Sequence, residues 1–260
     1  MKNQQARINK KSLWAGVFLT AVASGLPAVT SAQEYQADIR AGIGSIDVEG
    51  GDNAMQYMLG GTAYFAPVET TNKPLAEAAF LGKASNLNAG ISYLNTDISN
   101  FTATEIGAEW YIPNSMVYLA GQYTRLSGDI LEGDAWSVSA GITPIEGFLV
   151  STSYIKDSDY EPNIDAKYVL LLNEGRALNM HGSLQVGDDV TYYTAGMDYY
   201  FNANTSVGFE YEDSTGDEGD IFDSYTVNGK HFFTEKAYVG AFYTGTDYTD
   251  TVGLDIGMRF

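Results

Sequence analysis

Polar and apolar residues alternate along most of the chain. In 35–44, Tyr35, Ala37, Ile39, Ala41 and Ile43 fall on one face, and Gln36, Asp38, Arg40, Gly42 and Gly44 on the other. A strand turns successive side chains to opposite faces, so this segment reads as a strand with one apolar and one polar side. The segment 251–260 repeats the pattern, with Val252, Leu254, Ile256, Met258 and Phe260 set against Thr251, Gly253, Asp255, Gly257 and Arg259. Similar segments predict strands at 35–47, 54–66, 86–96, 102–112, 116–127, 135–144, 147–157, 164–172, 177–187, 190–201, 206–213, 223–233, 237–246 and 251–260. The chain is therefore all-β with about fourteen strands. One misread hairpin would leave twelve.

The connections between these strands are of two kinds. One set is acidic: 49–52, 129–134, 157–165, 188–189, 213–223 and 247–250. The other is short: 113–115, 144–147, 173–176, 202–205 and 234–236. Short turns at one end and longer loops at the other suit an antiparallel up-and-down transmembrane barrel, with both termini at the periplasmic, short-turn end. The connection 66–85 is longer. Its run Pro74-Leu75-Ala76-Glu77-Ala78-Ala79-Phe80-Leu81 predicts a short helix, because Pro suits a first turn and Ala, Leu and Glu favour helix. It reads as a periplasmic cap, with a plug as the alternative.

Alternation alone does not separate a membrane barrel from a soluble sandwich. The aromatic residues do. On the apolar face Tyr35, Phe65, Trp110, Phe148, Phe201, Phe233 and Phe260 fall at the periplasmic strand ends, and Tyr57, Tyr93, Trp136, Tyr193, Tyr211 and Tyr225 at the outer ends. Two aromatic girdles around an aliphatic band mark a barrel in lipid. The polar face is rich in Gly, Ser and Thr, which leaves room for water inside. Lipid cannot satisfy open strand edges, so the sheet must close.

The first 32 residues differ from the rest. Lys2, Arg7, Lys10 and Lys11 precede an apolar run of 14 residues at 13–26, and Thr30-Ser31-Ala32 supplies small residues for cleavage. This reads as a secretory signal at 1–32, with the barrel at 33–260. Four of the 14 basic residues and none of the 33 acidic ones lie in the signal, so the remainder has 10 against 33, a net −23. Nucleic acid is excluded as a partner by that balance, since phosphate binding needs clustered Lys and Arg. The chain has no Cys, which removes disulfides and thiolate metal sites. No cofactor is expected.

The stretch Gly61-Thr62-Ala63-Tyr64-Phe65-Ala66-Pro67-Val68, followed by 74–81, resembles the general porin family of Gram-negative bacteria. The strand-and-loop layout is similar through to Phe260. The resemblance implies an outer-membrane pore, and it assigns no selectivity residues.

The strand register selects the candidate pore lining. Asp38, Glu105, Glu109, Asp198, Glu210 and Asp255 are predicted to point inward, with Arg40, Lys167, Lys230 and Arg259. Rings of charge govern ion selectivity. Asp38, Arg40, Asp255 and Arg259 sit on the first and last strands and fit a salt-bridge network closing the seam. An outer acidic mouth is expected from Asp213, Asp217, Glu218, Asp220 and Asp223, which would concentrate cations. The same carboxylates could bridge to lipopolysaccharide through divalent cations; their spacing defines no metal site. The expected partners are therefore outer-membrane lipid, small solutes and, through the terminal strand ending at Phe260, the barrel assembly machinery.

An enzyme is the less favoured class. Only His181 and His231 are present. His181 shares an inward face with Asn179 and Ser183, but neighbours on one strand do not make a nucleophile–base geometry. The reading is a diffusion channel for small hydrophilic solutes, favouring cations, with no catalytic residues. A surface adhesin is the alternative, and its outer loops are short for a large interface.

Overall fold

The computed structural model describes residues 34–260 apart from 52, 97–98, 130–131, 157–162, 188–189 and 217–218. The expected signal segment lies outside the described residues. Fourteen strands follow one another: β1 Glu34–Val48, β2 Ala54–Glu69, β3 Asn86–Asn95, β4 Asn100–Tyr111, β5 Val117–Gly128, β6 Gly133–Ile142, β7 Phe148–Ile155, β8 Asn163–Leu171, β9 Ala177–Val186, β10 Val190–Asn202, β11 Thr205–Gly216, β12 Gly219–Thr234, β13 Ala237–Thr246 and β14 Thr249–Met258. Each pairs antiparallel with the next, and β1 pairs with β14, so the sheet is a closed barrel. The count is fourteen, not twelve.

The outward face is the apolar one. Ile39, Leu59, Ile91, Ile106, Val138, Leu254 and Ile256 are exposed there, where water would make this costly and lipid does not. Aromatic residues bound the aliphatic band. At the short-turn end Phe65 lies 5.5 Å from Trp110 and Tyr199 lies 5.0 Å from Phe201. At the outer end Tyr57 meets Tyr93 at 6.4 Å and Trp136 meets Tyr154 at 5.8 Å.

Tyr35 departs from the girdle expected of it. It is 4% exposed and packs inside the barrel, edge-on to Tyr64. The cause is a bulge: the β1–β2 register shifts between Tyr35 and Ala37, and Gln36 and Ala37 both donate to the Phe260 carbonyl. One extra residue reverses the alternation below it.

The connection expected as a loop at 213–223 is largely strand. β11 runs to Gly216 and β12 begins at Gly219, with Asp213 directly opposite Asp223. The hairpin is longer than its acidic composition suggests.

Tight turns close the short-turn end. Gly147, in the turn before β7, has φ +71°, and a Cβ there would collide with the Val169 carbonyl. This position needs glycine on both counts.

After β2 the chain does not cap the rim from outside. Residues 70–85 turn back into the barrel. Leu75–Glu77 form a 3₁₀ turn that continues into helix α1, Ala78–Leu81. Leu75 is buried against Phe232 and Tyr238, and Ala78 against Tyr35, Tyr64 and Val68. The apolar face of this short run packs into two buried apolar clusters inside the barrel's short-turn end.

Candidate functional site: a charged chamber closed by an inward segment

The barrel encloses a cavity of about 720 Å³. Nine of the ten candidate lining residues border it: Arg40, Glu105, Glu109, Lys167, Asp198, Glu210, Lys230, Asp255 and Arg259. Asp38 points inward too, but it is 2% exposed and sealed below the chamber beside Arg259.

Glycines let long side chains lie along the wall instead of across the lumen. Arg40 pairs in register with Gly60, Gly60 with Gly90, and Gly90 with Glu105. The Arg40 side chain lies over Gly60, whose Cβ would stand 3.1 Å from Nε. His181 lies over Gly196 and reaches Glu210, with Nε2 2.8 Å from Oε2. Asp255 lies over Gly240, which pairs with Lys230. The same device repeats on several strands, and it keeps a fourteen-stranded barrel from filling with its own side chains.

The inner wall is also cross-linked. Asn179 Nδ2 donates to Asp198 Oδ2 at 2.8 Å, beside the His181–Glu210 pair. Ser139, Ser153 and Asp165 form a hydroxyl–carboxylate ladder over β6, β7 and β8. His181 thus has a carboxylate partner on another strand. Alternation places Glu210 inward but does not say which neighbour it meets. His231 faces the lipid side, where it packs on Phe233 and its Nδ1 is 2.9 Å from Thr205 Oγ1.

Two polar clusters hold the inward segment. The first centres on Glu77. Its Oε1 accepts from the Tyr200 hydroxyl at 2.8 Å, and its Oε2 lies 2.7 Å from Lys167 Nζ. Lys167 Nζ also sits 4.6 Å from the centre of the Phe80 ring. The second centres on Arg259, itself 2% exposed. Its Nη1 donates to the Leu75 carbonyl at 2.9 Å, and its guanidinium is stacked between Tyr35 at 4.2 Å and Phe232 at 4.5 Å. Asp38 faces it at 3.5 Å. Of the four residues expected in a seam network, the structure brings together Asp38 and Arg259, which join β1 to the residue after β14.

Three further hydrogen bonds complete the seat. The Leu75 amide donates to the Ala203 carbonyl at 2.8 Å, Lys83 Nζ to Thr143 Oγ1 at 2.7 Å, and the Tyr111 amide to Ser85 Oγ at 2.9 Å. Glu77 and Tyr200 were not singled out from the sequence. The one available signal was an acidic residue inside an otherwise apolar helical run.

The outer mouth differs from expectation. The Tyr193 hydroxyl donates to Asp213 Oδ2, and Tyr211 donates to the same oxygen from 3.2 Å. Asp213 shares its face with the exposed Phe209 and Val207, so it looks outward, and its register partner Asp223 looks outward with it. Glu212 is the inward carboxylate at this height. Asp217 and Glu218 lie outside the described residues, as does the side chain of Asp220.

A closed antiparallel barrel with an apolar outer band and a charged interior chamber defines the class: a transmembrane β-barrel of the porin type. The family model described as "Putative general bacterial porin" matches residues 14–150 and 145–260, and the chain belongs to that family. Among solved structures it is similar to the Acinetobacter baumannii outer membrane protein Omp33, at 24% identity over 88% of this chain and 100% of that one, with a TM-score of 0.73. It is more distantly similar to the KdgM porin solved with disordered oligogalacturonate, at 10% identity over 86% of this chain and 99% of that one, with a TM-score of 0.47. No curated protein matches.

Proposed function

We propose that the chain is an outer-membrane diffusion channel for small hydrophilic solutes, that it favours cations, and that residues 70–85 hold it shut at rest. The carrying observation is the chamber itself. Seven carboxylates line it, Glu77, Glu105, Glu109, Asp165, Asp198, Glu210 and Asp255, against four cationic side chains, Arg40, Lys167, Lys230 and Arg259. Walls of low dielectric focus such a field, so the excess favours cations. No group of nucleophile and base is needed to explain the wall polarity. The His181–Glu210 pair serves to fix the lining.

Through the contacts above the inward segment touches β1, β2, β4, β8, β10, β12 and β13, and Arg259 just after β14. A solute could pass only after it moves. Its grip combines the apolar packing of Leu75 and Ala78 with the polar contacts of Glu77 and the Leu75 carbonyl, and the polar contacts are the points at which a solute can compete for it.

Planar-bilayer recording of the purified, refolded protein in a KCl gradient tests this. The expected result is rare openings for the unaltered chain, frequent steps for Glu77→Gln, and a reversal potential displaced toward the potassium equilibrium value. Steady steps unaffected by Glu77→Gln would remove the gate from the account. A reversal potential on the chloride side would overturn the cation preference.

A further inference from the structure

We propose that Lys167 is the recognition point for a solute bearing both a carboxylate and an ammonium group, an amino acid being the simplest, and that its capture releases the inward segment. The inference rests on the channel reading above and adds the solute class and the trigger.

The geometry singles out Lys167. Its two contacts, Glu77 at 2.7 Å and the Phe80 ring at 4.6 Å, both belong to the inward segment. The other chamber cations are engaged differently. Arg40 lies along Gly60 in the row that leads to Glu105. Lys230 sits over Tyr238 at 4.6 Å, with Asp255 two strands away over Gly240. Arg259 is sealed between two rings. Lys167 is thus the wall cation whose ion pair and ring contact are both on the part that must move, while Glu109 on β4 acts on it only through its charge.

It is also the reachable half of its pair. The Lys167 side chain is 26% exposed to the chamber, and that of Glu77 only 6%. A solute entering the chamber meets the ammonium before it meets the carboxylate of Glu77. A solute carboxylate would compete for Nζ, leaving Glu77 with the Tyr200 hydroxyl alone.

The surroundings restrict the solute. Asp165 lies two residues away on the same face of β8, and Glu109 is within electrostatic range of Lys167. A plain carboxylate would be repelled by both. A plain ammonium ion could compete only for Glu77, whose side chain is nearly sealed. A solute with both groups can place its carboxylate on Lys167 and its ammonium toward Glu109 or Asp165. A solute carboxylate on Lys167 shares its charge and donors with Glu77 and weakens the hold on the segment, so binding favours the released state and the two are coupled.

The test is open probability in planar bilayers in symmetrical KCl, with L-alanine, L-alaninamide or acetate added to the outer side. L-Alaninamide keeps the ammonium group and lacks the carboxylate. The expected result is about a tenfold rise with alanine, the shift that a tenfold preference for the released state would give, and none with the other two. Lys167→Met should open without solute and ignore alanine, and Lys167→Arg should retain the response. Heat-modifiable migration on gels confirms that each variant is folded. Equal responses to alanine and alaninamide would overturn the proposal. So would no response to alanine in an unaltered channel that Glu77→Gln does open, and that result leaves the channel reading standing. Closed, folded Glu77→Gln would overturn the gate and this proposal together.

Discussion

Arg40 on β1 and Glu105 on β4 stand in one hydrogen-bonded row of the sheet, with only Gly60 and Gly90 between them. Adjacent strands lie about 4.8 Å apart, so the two backbones are about 14 Å apart along the wall. Arg40 covers part of that distance by lying on Gly60. Gly60→Val puts bulk where Arg40 now lies and turns the guanidinium into the lumen. In a Glu77→Gln background the expected outcome is lower single-channel conductance and weaker cation preference, read from step size and reversal potential. Unchanged values would show that the chamber is wide enough to be indifferent to Arg40.

Arg259 joins the last strand to both the first strand and the inward segment. Arg259→Ala removes the donor to Leu75, empties the gap between Tyr35 and Phe232, and leaves Asp38 buried without its counter-charge. Breaking one partner of a buried pair costs about 3–5 kcal/mol. Denaturant unfolding of the refolded protein in lipid should show a loss of that order. A loss below about 1 kcal/mol, the range of surface pairs, would mean that the pair contributes little where it lies.

Leu75 tests the segment without changing the charges of the wall. Leu75→Ala leaves a cavity against Phe232 and Tyr238, and such truncations cost about 2–5 kcal/mol. The cost falls on docking of the segment rather than on the barrel ladder. Trypsin should then cut at Lys73 and Lys83 much faster than in the unaltered chain, with the barrel otherwise intact on gels. Equal cutting rates would place the docking energy elsewhere.

Much of this architecture is written in local pattern. A period of two needs only adjacent residues, so β1 to β14 and their outward aliphatic faces could be read directly from the chain. Tyr35 could not, because a bulge is set by how Phe260 meets Gln36 and Ala37 across the seam. The inward turn of 70–85 was equally hidden. Its helix formers predict the short helix, but not whether Glu77 finds Tyr200 and Lys167, which are 123 and 90 positions away. The His181–Glu210 pair is of the same long-range kind. For Asp213 and Asp223, composition misled: acidic residues resembled a loop, yet the ladder continues through them.

That ladder supplies the last expectation. Asp213 and Asp223 oppose each other across β11 and β12 on the outward face. Like charges directly opposite in a sheet are destabilising, by about 0.2–1 kcal/mol. Asp213 has hydroxyl donors in Tyr193 and Tyr211, which ease its own charge. The substitution to make is therefore Asp223→Asn. It should raise stability slightly at low ionic strength in magnesium-free detergent, and the gain should shrink as salt screens the pair. Because both side chains look away from the chamber, ion preference should not change. Glu212→Gln, at the same height but facing inward, should weaken the preference for cations. If Asp223→Asn shifted the reversal potential as much as Glu212→Gln, the field at the mouth would have to extend around the rim, and the outward carboxylates would belong to the entrance after all.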